Sequence, residues 1–268
     1  MAFNKLLNDF KDHLIDLKEQ GVTDVEVDPS LVKNLAVMTA SLKSEKKVPV
    51  LSVPKTSSVD LPVQVVASRP PFTPAQSAAA DKLKDIADEI SVCKNCRLAF
   101  KRTNTVPGQG NPQPEVMFIG EGPGEDEDLQ GLAFVGRAGQ LLTKMIEAMG
   151  LSREDVFIGN IVKCRPPDNR KPEPDEMEAC IPFLKRQIAV IKPKVIVALG
   201  ATSLTGLVTL PDGETISKIR GNWLKYEGID LMPTFHPAYL LYSPVAKKEV
   251  WIDLQEVLKK LGRTPPKR

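Results

Sequence analysis

Four apolar runs of β type, separated by stretches of helical periodicity, constrain this 268-residue chain more than any other feature. Val116 to Ile119, Val156 to Val162, Val195 to Leu199 and Leu231 to Phe235 read as buried strands. Between them, Ala138 to Met149, Asp175 to Ile191 and Ala201 to Leu207 carry helical spacing, with further helices expected at Asp81 to Val92 and Val245 to Leu261. Strand and helix in alternation predict an α/β fold of three layers, α/β/α, around a mostly parallel central sheet, because parallel strands need crossovers that cover both faces. Pro182 is expected to kink the Asp175 helix. In such sheets ligands bind beyond the carboxyl ends of the strands, so the residues just after each run are read first for chemistry.

This pattern begins only at about Ala78. Upstream, Phe3, Leu6, Leu7, Phe10, Leu14 and Leu17 recur at three and four residues, the stripe of a short amphipathic helix, and a weaker helical stretch follows from about Leu31 to Leu42. Between Glu45 and Pro74, Pro49, Pro54, Pro62, Pro70, Pro71 and Pro74 sit among Ser, Thr, Val and Lys with no sustained period, which is linker composition. The expected organisation is a helical N-terminal extension at 1–44, a Pro-rich linker at 45–77 and a folded domain at 78–263. The extension is too small to bury a core of its own. It reads either as a docking element for a replication or repair protein or as a partly ordered tail.

No apolar run is long enough to cross a membrane, and Asp9 and Asp12 stand where a secretory signal needs an apolar segment, so the expected location is the cytoplasm. The net charge of +2 is silent about nucleic acid. A monomer is assumed.

All four cysteines fall in the second region: Cys93 and Cys96 as a CxxC pair, then Cys164 and Cys180 as distant singles. Disulfides are disfavoured in a reducing compartment. Four thiolates suit zinc or an iron-sulfur cluster, with unrelated buried thiols as the third reading, and spacing alone leaves these open.

The strand ends carry distinctive segments. Gly120-Glu121-Gly122-Pro123-Gly124 forms a tight glycine-rich turn followed by Glu125, Asp126, Glu127 and Asp128; it matches neither a P-loop nor a dinucleotide fingerprint. Phe134 precedes a helix, Asn160 ends the second run, and His236, the only histidine of the domain, follows the last one. Taken in order, GEGPGEDED at 120–128, FVGRAGQLL at 134–142, NIVKCRPPDNRKP at 160–172 and HPAYLL at 236–241 resemble the uracil-DNA glycosylase superfamily. Within it they are similar to family 4, the iron-sulfur enzymes related to a segment of a phage DNA polymerase. The resemblance spans roughly Leu83 to Leu261 and leaves residues 1–77 uncovered.

That resemblance implies a DNA-repair hydrolase that breaks the N-glycosidic bond of uracil in single- and double-stranded DNA and leaves an abasic site. It also implies a [4Fe-4S] cluster on Cys93, Cys96, Cys164 and Cys180. Such an enzyme must take the base out of the stack and read its edge in a pocket. Phe134 would stack on the base, and the amide of Asn160 would pair with O4 and N3–H of uracil, a pattern that cytosine reverses. Negative charge develops on uracil O2 as the bond breaks, and His236 is the expected donor there, helped by backbone N–H groups of the Glu121–Gly122 turn. Leu240 would be the wedge that fills the space of the flipped base. Lys163, Arg165, Arg170, Lys171 and Arg137 are candidates for phosphate contact or ordinary solvated charges.

Two departures from family 1 bear on mechanism. The Asp that positions water there falls at Gly122, so Glu121 is the expected carboxylate for water or the oxocarbenium ion. The Tyr that excludes thymine there falls at Gly124, so Glu127 is expected to take that task. Tyr242 stands where family members often carry Arg. Two other readings are a catalytically weak iron-sulfur DNA-binding module tied to replication machinery, and an iron-sulfur redox sensor.

Overall fold

A computed structural model describes residues 72–211 and 213–266. The extension expected at 1–44 and most of the linker expected at 45–77 lie outside the described residues. The first described helix, α1 (Pro74–Val92), starts four residues before the expected domain boundary for a local reason. The Thr73 side chain accepts from the Gln76 N–H, Gln76 answers to the Thr73 N–H, and Pro74 occupies the first turn.

Six strands form one sheet in the order β1-β3-β2-β4-β6-β5. They are β1 (Gln109–Gly110), β2 (Val116–Gly120), β3 (Phe157–Asn160), β4 (Val195–Leu199), β5 (Leu224–Tyr226) and β6 (Ile229–Thr234). The inner four run parallel and the two edge strands antiparallel. The expected mostly parallel sheet is present, and the four inner strands match the four apolar runs to within a few residues.

Alternate strand residues serve two cores. Val116, Phe118, Val195 and Val197 face one, with Leu142 and Ile146 of α3 (Arg137–Ala148) and Leu254 and Val257 of α8 (Lys247–Lys260). Met117, Ile119, Ile196 and Ala198 face the other, with Leu184 and Ile188 of α4 (Pro174–Ile191). Burial on both faces is why these strands read as unbroken apolar runs rather than as alternation. The helix α4 runs unbroken through Pro182, which sits on its exposed side; the expected interruption is absent.

Four short helices, α2 (Glu125–Gln130), α5 (Ala201–Leu207), α6 (Ile216–Ile219) and α7 (Pro237–Tyr242), and three 3-10 turns at Arg97–Phe100, Pro167–Asn169 and Pro244–Ala246 complete the described elements. No helix among the described residues is long and apolar enough to cross a membrane.

Candidate active site

The carboxyl ends of the parallel strands open into a cavity of about 430 Å³. Its wall includes Glu121 after β2, Asn160 at the end of β3, Gly200 after β4 and His236 after β6, with Phe134 and Tyr239 closing the sides. The chain crosses from one side of β2 to the other between β3 and β4, so this is the switch point where a doubly wound sheet leaves a crevice. Its size is that of a small-molecule pocket.

Asn160 sits at the back of the cavity, fully buried, and neither Oδ1 nor Nδ2 has a hydrogen-bond partner among the described residues. Buried amides are almost always paired, and an orphaned donor and acceptor together cost several kcal/mol, roughly 1–3 each. A ligand that presents one acceptor and one donor side by side removes that cost. The main chain at Asn160 is held from behind by Lys163, whose buried Nζ donates to the Asn160 carbonyl at 2.9 Å and to Gln187 Oε1 at 2.8 Å.

Phe134 lies beside the amide, 6% exposed, with a positive φ of 53°. Its ring stands 5.6 Å from that of His236, inclined by 35°. Gly120 makes room between Phe134 and Asn160: a Cβ there would fall 2.4 Å from the Phe134 ring and 2.5 Å from Asn160 Oδ1.

His236 caps the N-terminus of α7, and its Nδ1 accepts from the Ala238 N–H at 3.1 Å. That bond assigns the remaining proton to Nε2, which leaves the imidazole a neutral donor. Burial pushes its pKa down from 6.5 to about 4. Above about pH 6.5 the ring is neutral in both the folded and the unfolded chain; between there and about pH 4 only the unfolded chain takes up the proton. Stability is therefore expected to fall as pH drops through that window, and His236→Gln should lose this share of the decline when melting midpoints are followed against pH. An identical acid slope in the variant would contradict the buried neutral ring.

The acidic run divides by role. Glu127 is a brace: Oε1 accepts from the Val135 and Gly136 N–H groups, both at 2.8 Å, and Oε2 from Gly124 N–H at 3.1 Å. It ties the glycine-rich turn to the Phe134 loop while still lining the cavity. Buried Asp128 accepts from the N–H groups of Thr103 and Asn104. The Glu121 carboxylate lines the cavity and has no hydrogen bond or ion pair among the described residues, which leaves it free for a ligand or water.

Two expectations need correction. Leu240 is 1% exposed and belongs to the core with Phe235, Ala246 and Val250, so it does not project as a wedge. Drawing it out would forfeit about 1.5–3 kcal/mol of burial. The exposed large side chains of α7 are Tyr239, 48% exposed at the cavity mouth, and Tyr242, 76% exposed. Lys163, a candidate for phosphate contact or an ordinary solvated charge, is neither exposed nor solvated: it is buried, with its Nζ on the Asn160 carbonyl. Of the other cations, Arg165 bonds Asn169 and Arg170 makes a two-pronged bond to buried Glu176. Lys171 at the cavity and Arg137 at the start of α3 are exposed without a partner among the described residues. Arg153, which nothing in the sequence singles out, donates to the carbonyls of Ala133 and Phe134.

The four cysteines come together. Cys93 ends α1, Cys96 opens the following 3-10 turn, Cys164 follows β3 and Cys180 lies in α4, and all four line one small cavity beside Ile90 and Phe183. Arg102 donates to Cys164 Sγ at 3.1 Å and the Lys163 N–H to Cys180 Sγ at 3.3 Å. Burial raises the thiol pKa at Cys164 and pushes Cys180 up to about 11. No three His, Cys, Asp or Glu side chains among the described residues converge on a single ion.

Comparison with known proteins agrees with this geometry. The model of the uracil DNA glycosylase superfamily matches residues 107–255. A type-4 uracil-DNA glycosylase of Saccharolobus solfataricus is 48% identical over 192 residues, covering 69% of this chain and 89% of that protein. One from Thermotoga maritima is 52% identical over 161 residues, 58% of this chain and 81% of its own length. A DNA polymerase of Bacillus phage SP01 is 32% identical over 171 residues, 62% of this chain but 18% of the polymerase. By these similarities the α/β domain is a glycosylase in class. The chain belongs to the uracil-DNA glycosylase superfamily.

Proposed function

We propose that this protein removes uracil from DNA by hydrolysing the N-glycosidic bond, leaving an abasic site for repair. The observation that carries the reading is the unpartnered, fully buried amide of Asn160 at the back of the cavity. Uracil offers O4 as acceptor and N3–H as donor on one edge, the complement of that amide; cytosine offers the reverse at both positions. Titration with free uracil, cytosine and thymine tests it: measurable binding of uracil alone supports the reading, and equal binding of cytosine refutes it.

In the reaction, Phe134 stacks on the extruded base and Asn160 holds its edge. The neutral His236 donates its Nε2–H toward O2, where negative charge grows as the bond to the sugar breaks. Being uncharged, it stabilises the leaving uracil anion without adding a full charge to a buried site. Glu121, whose side chain has no partner among the described residues, stabilises the oxocarbenium ion and orients the water that adds to the anomeric carbon. Of the five candidate cations, Lys171 and Arg137, whose side chains have no partner among the described residues, take phosphates.

Glu127 is assigned to thymine exclusion as well as to bracing. Glu127→Ala is expected to accept thymine at a measurable rate and to lose part of its uracil rate through the freed Phe134 loop. A variant that rejects thymine as fully as the parent protein removes this assignment. With Leu240 in the core, Tyr239 is the side chain that can enter the space left by the base. Tyr239→Ala should weaken excision from duplex DNA about tenfold, from a stacking contribution of roughly 1–3 kcal/mol; duplex and single-strand rates falling equally little would refute a wedge.

The four cysteines fit a [4Fe-4S] cluster. Four thiols from three segments face one cavity, and two N–H donors point at the sulfurs of Cys164 and Cys180, as thiolate ligands require. When bound, the cluster supplies a cross-link between α1, the segment after β3 and α4, and the chemistry at the sugar proceeds without it. A catalytically weak DNA-binding module is not favoured, because such a protein has no use for a cavity backed by an unpaired amide.

A further inference from the structure

We infer that Arg153 is a positioning residue, whose guanidinium holds the Phe134 main chain in the left-handed conformation that lays the ring against the base pocket. The inference rests on the reading of that pocket as a uracil site. At φ 53° Phe134 occupies a region that bulky L-residues seldom adopt, so something must hold it there.

The holders are visible on every side. Glu127 takes the N–H groups that follow Phe134, at Val135 and Gly136. Gly139 gives its carbonyl room, since a Cβ there would lie 2.0 Å from the Phe134 carbonyl carbon and oxygen. Arg153 takes the carbonyls: Nη1 donates to Phe134 O at 2.9 Å and Nη2 to Ala133 O at 2.6 Å. Nη1 also donates to Thr143 Oγ1 at 3.1 Å, which steadies the fork against α3.

Among these holders Arg153 alone is a side chain outside the cavity wall. Glu127 lines the cavity, and the glycine acts through the absence of a side chain. Arg153 can therefore be changed without touching any surface the base would meet. Its two nitrogens reach two successive carbonyls at once, which one ammonium cannot reproduce. Ala133 is fully buried, so losing the fork strands its carbonyl and favours a turn of the neighbouring peptide. That turn is the one that carries the Phe134 ring away from Asn160 and His236.

Two experiments on the full chain test this. The first compares kcat/KM for a uracil-containing single strand in Arg153→Met, Arg153→Lys, Phe134→Ala and the double variant Arg153→Met/Phe134→Ala. Arg153→Met should lose about ten- to hundredfold, the scale of a small misplacement in an active site, and Arg153→Lys should recover part of it. On the Phe134→Ala background Arg153→Met should cost almost nothing more, because no ring remains to be placed. Losses that multiply in the double variant, or an Arg153→Met protein with parental kcat/KM, overturn the inference. The second is a crystal structure of Arg153→Met, which reads the geometry whatever the activity: a negative φ at Phe134 supports the inference, and an unchanged left-handed Phe134 overturns it. An unaffected Phe134→Ala rate would instead strike the uracil-site reading.

Discussion

Asn160→Ala is expected to lower uracil excision about a thousandfold while leaving the folded protein at least as stable as before. In the bound state the amide satisfies O4 and N3–H of a base that has left water and its partner base. Alanine leaves both groups buried without partners, at about 2 kcal/mol each, and roughly 4 kcal/mol of lost transition-state binding is close to three powers of ten. In the free protein the sign reverses. The two amide atoms are buried and unpaired there, so removing them relieves a desolvation cost. A variant that gains melting temperature and loses the reaction would be the signature of a group kept for its ligand. Rates on a labelled single strand beside thermal melts make the test, and a variant that loses stability in step with activity would assign Asn160 to the fold instead.

The second large effect concerns the cysteines. Cys180→Ala is expected to destabilise the domain by more than about 4 kcal/mol, a loss of roughly 10 °C or more in melting temperature. Cys180 lies in α4 and shares its cavity with thiols from α1 and from the segment after β3, so if it holds the proposed cluster its removal frees three elements at once. The damage should also reach the base pocket. Lys163 donates its N–H to Cys180 and its Nζ to the Asn160 carbonyl, so the chain that presents the reading amide is anchored on the cysteine side. Iron content, melting temperature and free-uracil affinity should fall together. Parental stability in an iron-free Cys180→Ala protein would remove the structural role assigned to the cluster.

The inner strands were legible because both faces of the sheet are covered, which leaves four unbroken apolar runs in the chain. The edge strands were not. Gln109–Gly110 is two residues long, and Leu224–Tyr226 carries an exposed lysine, so neither has a run to see. The candidate residues Glu121, Phe134, Asn160 and His236 could be singled out because each sits at a strand end or in a motif of fixed order, and the structure gathers all four on one cavity.

Orientation was harder than identity. The helix α7 has six residues, and a step of one residue turns the side chain by about 100°. Leu240 therefore falls into the core while its neighbour Tyr239 reaches the cavity. Lys163 looked like a surface cation by its basic neighbours, yet the turn after β3 folds it inward to the Asn160 carbonyl. Arg153 left no trace in the sequence, since its partners are main-chain carbonyls 19 and 20 residues away, and any residue type supplies a carbonyl.

The most direct test of the account is strand cleavage, after alkali, of a labelled single-stranded oligonucleotide with one uracil, incubated with iron-replete protein. A matched oligonucleotide with thymine at the same position and the Asn160→Ala protein run beside it. Cleavage at uracil alone, lost in the variant, is the expected result. No cleavage by protein with its full iron content, or equal cleavage by Asn160→Ala, would contradict it.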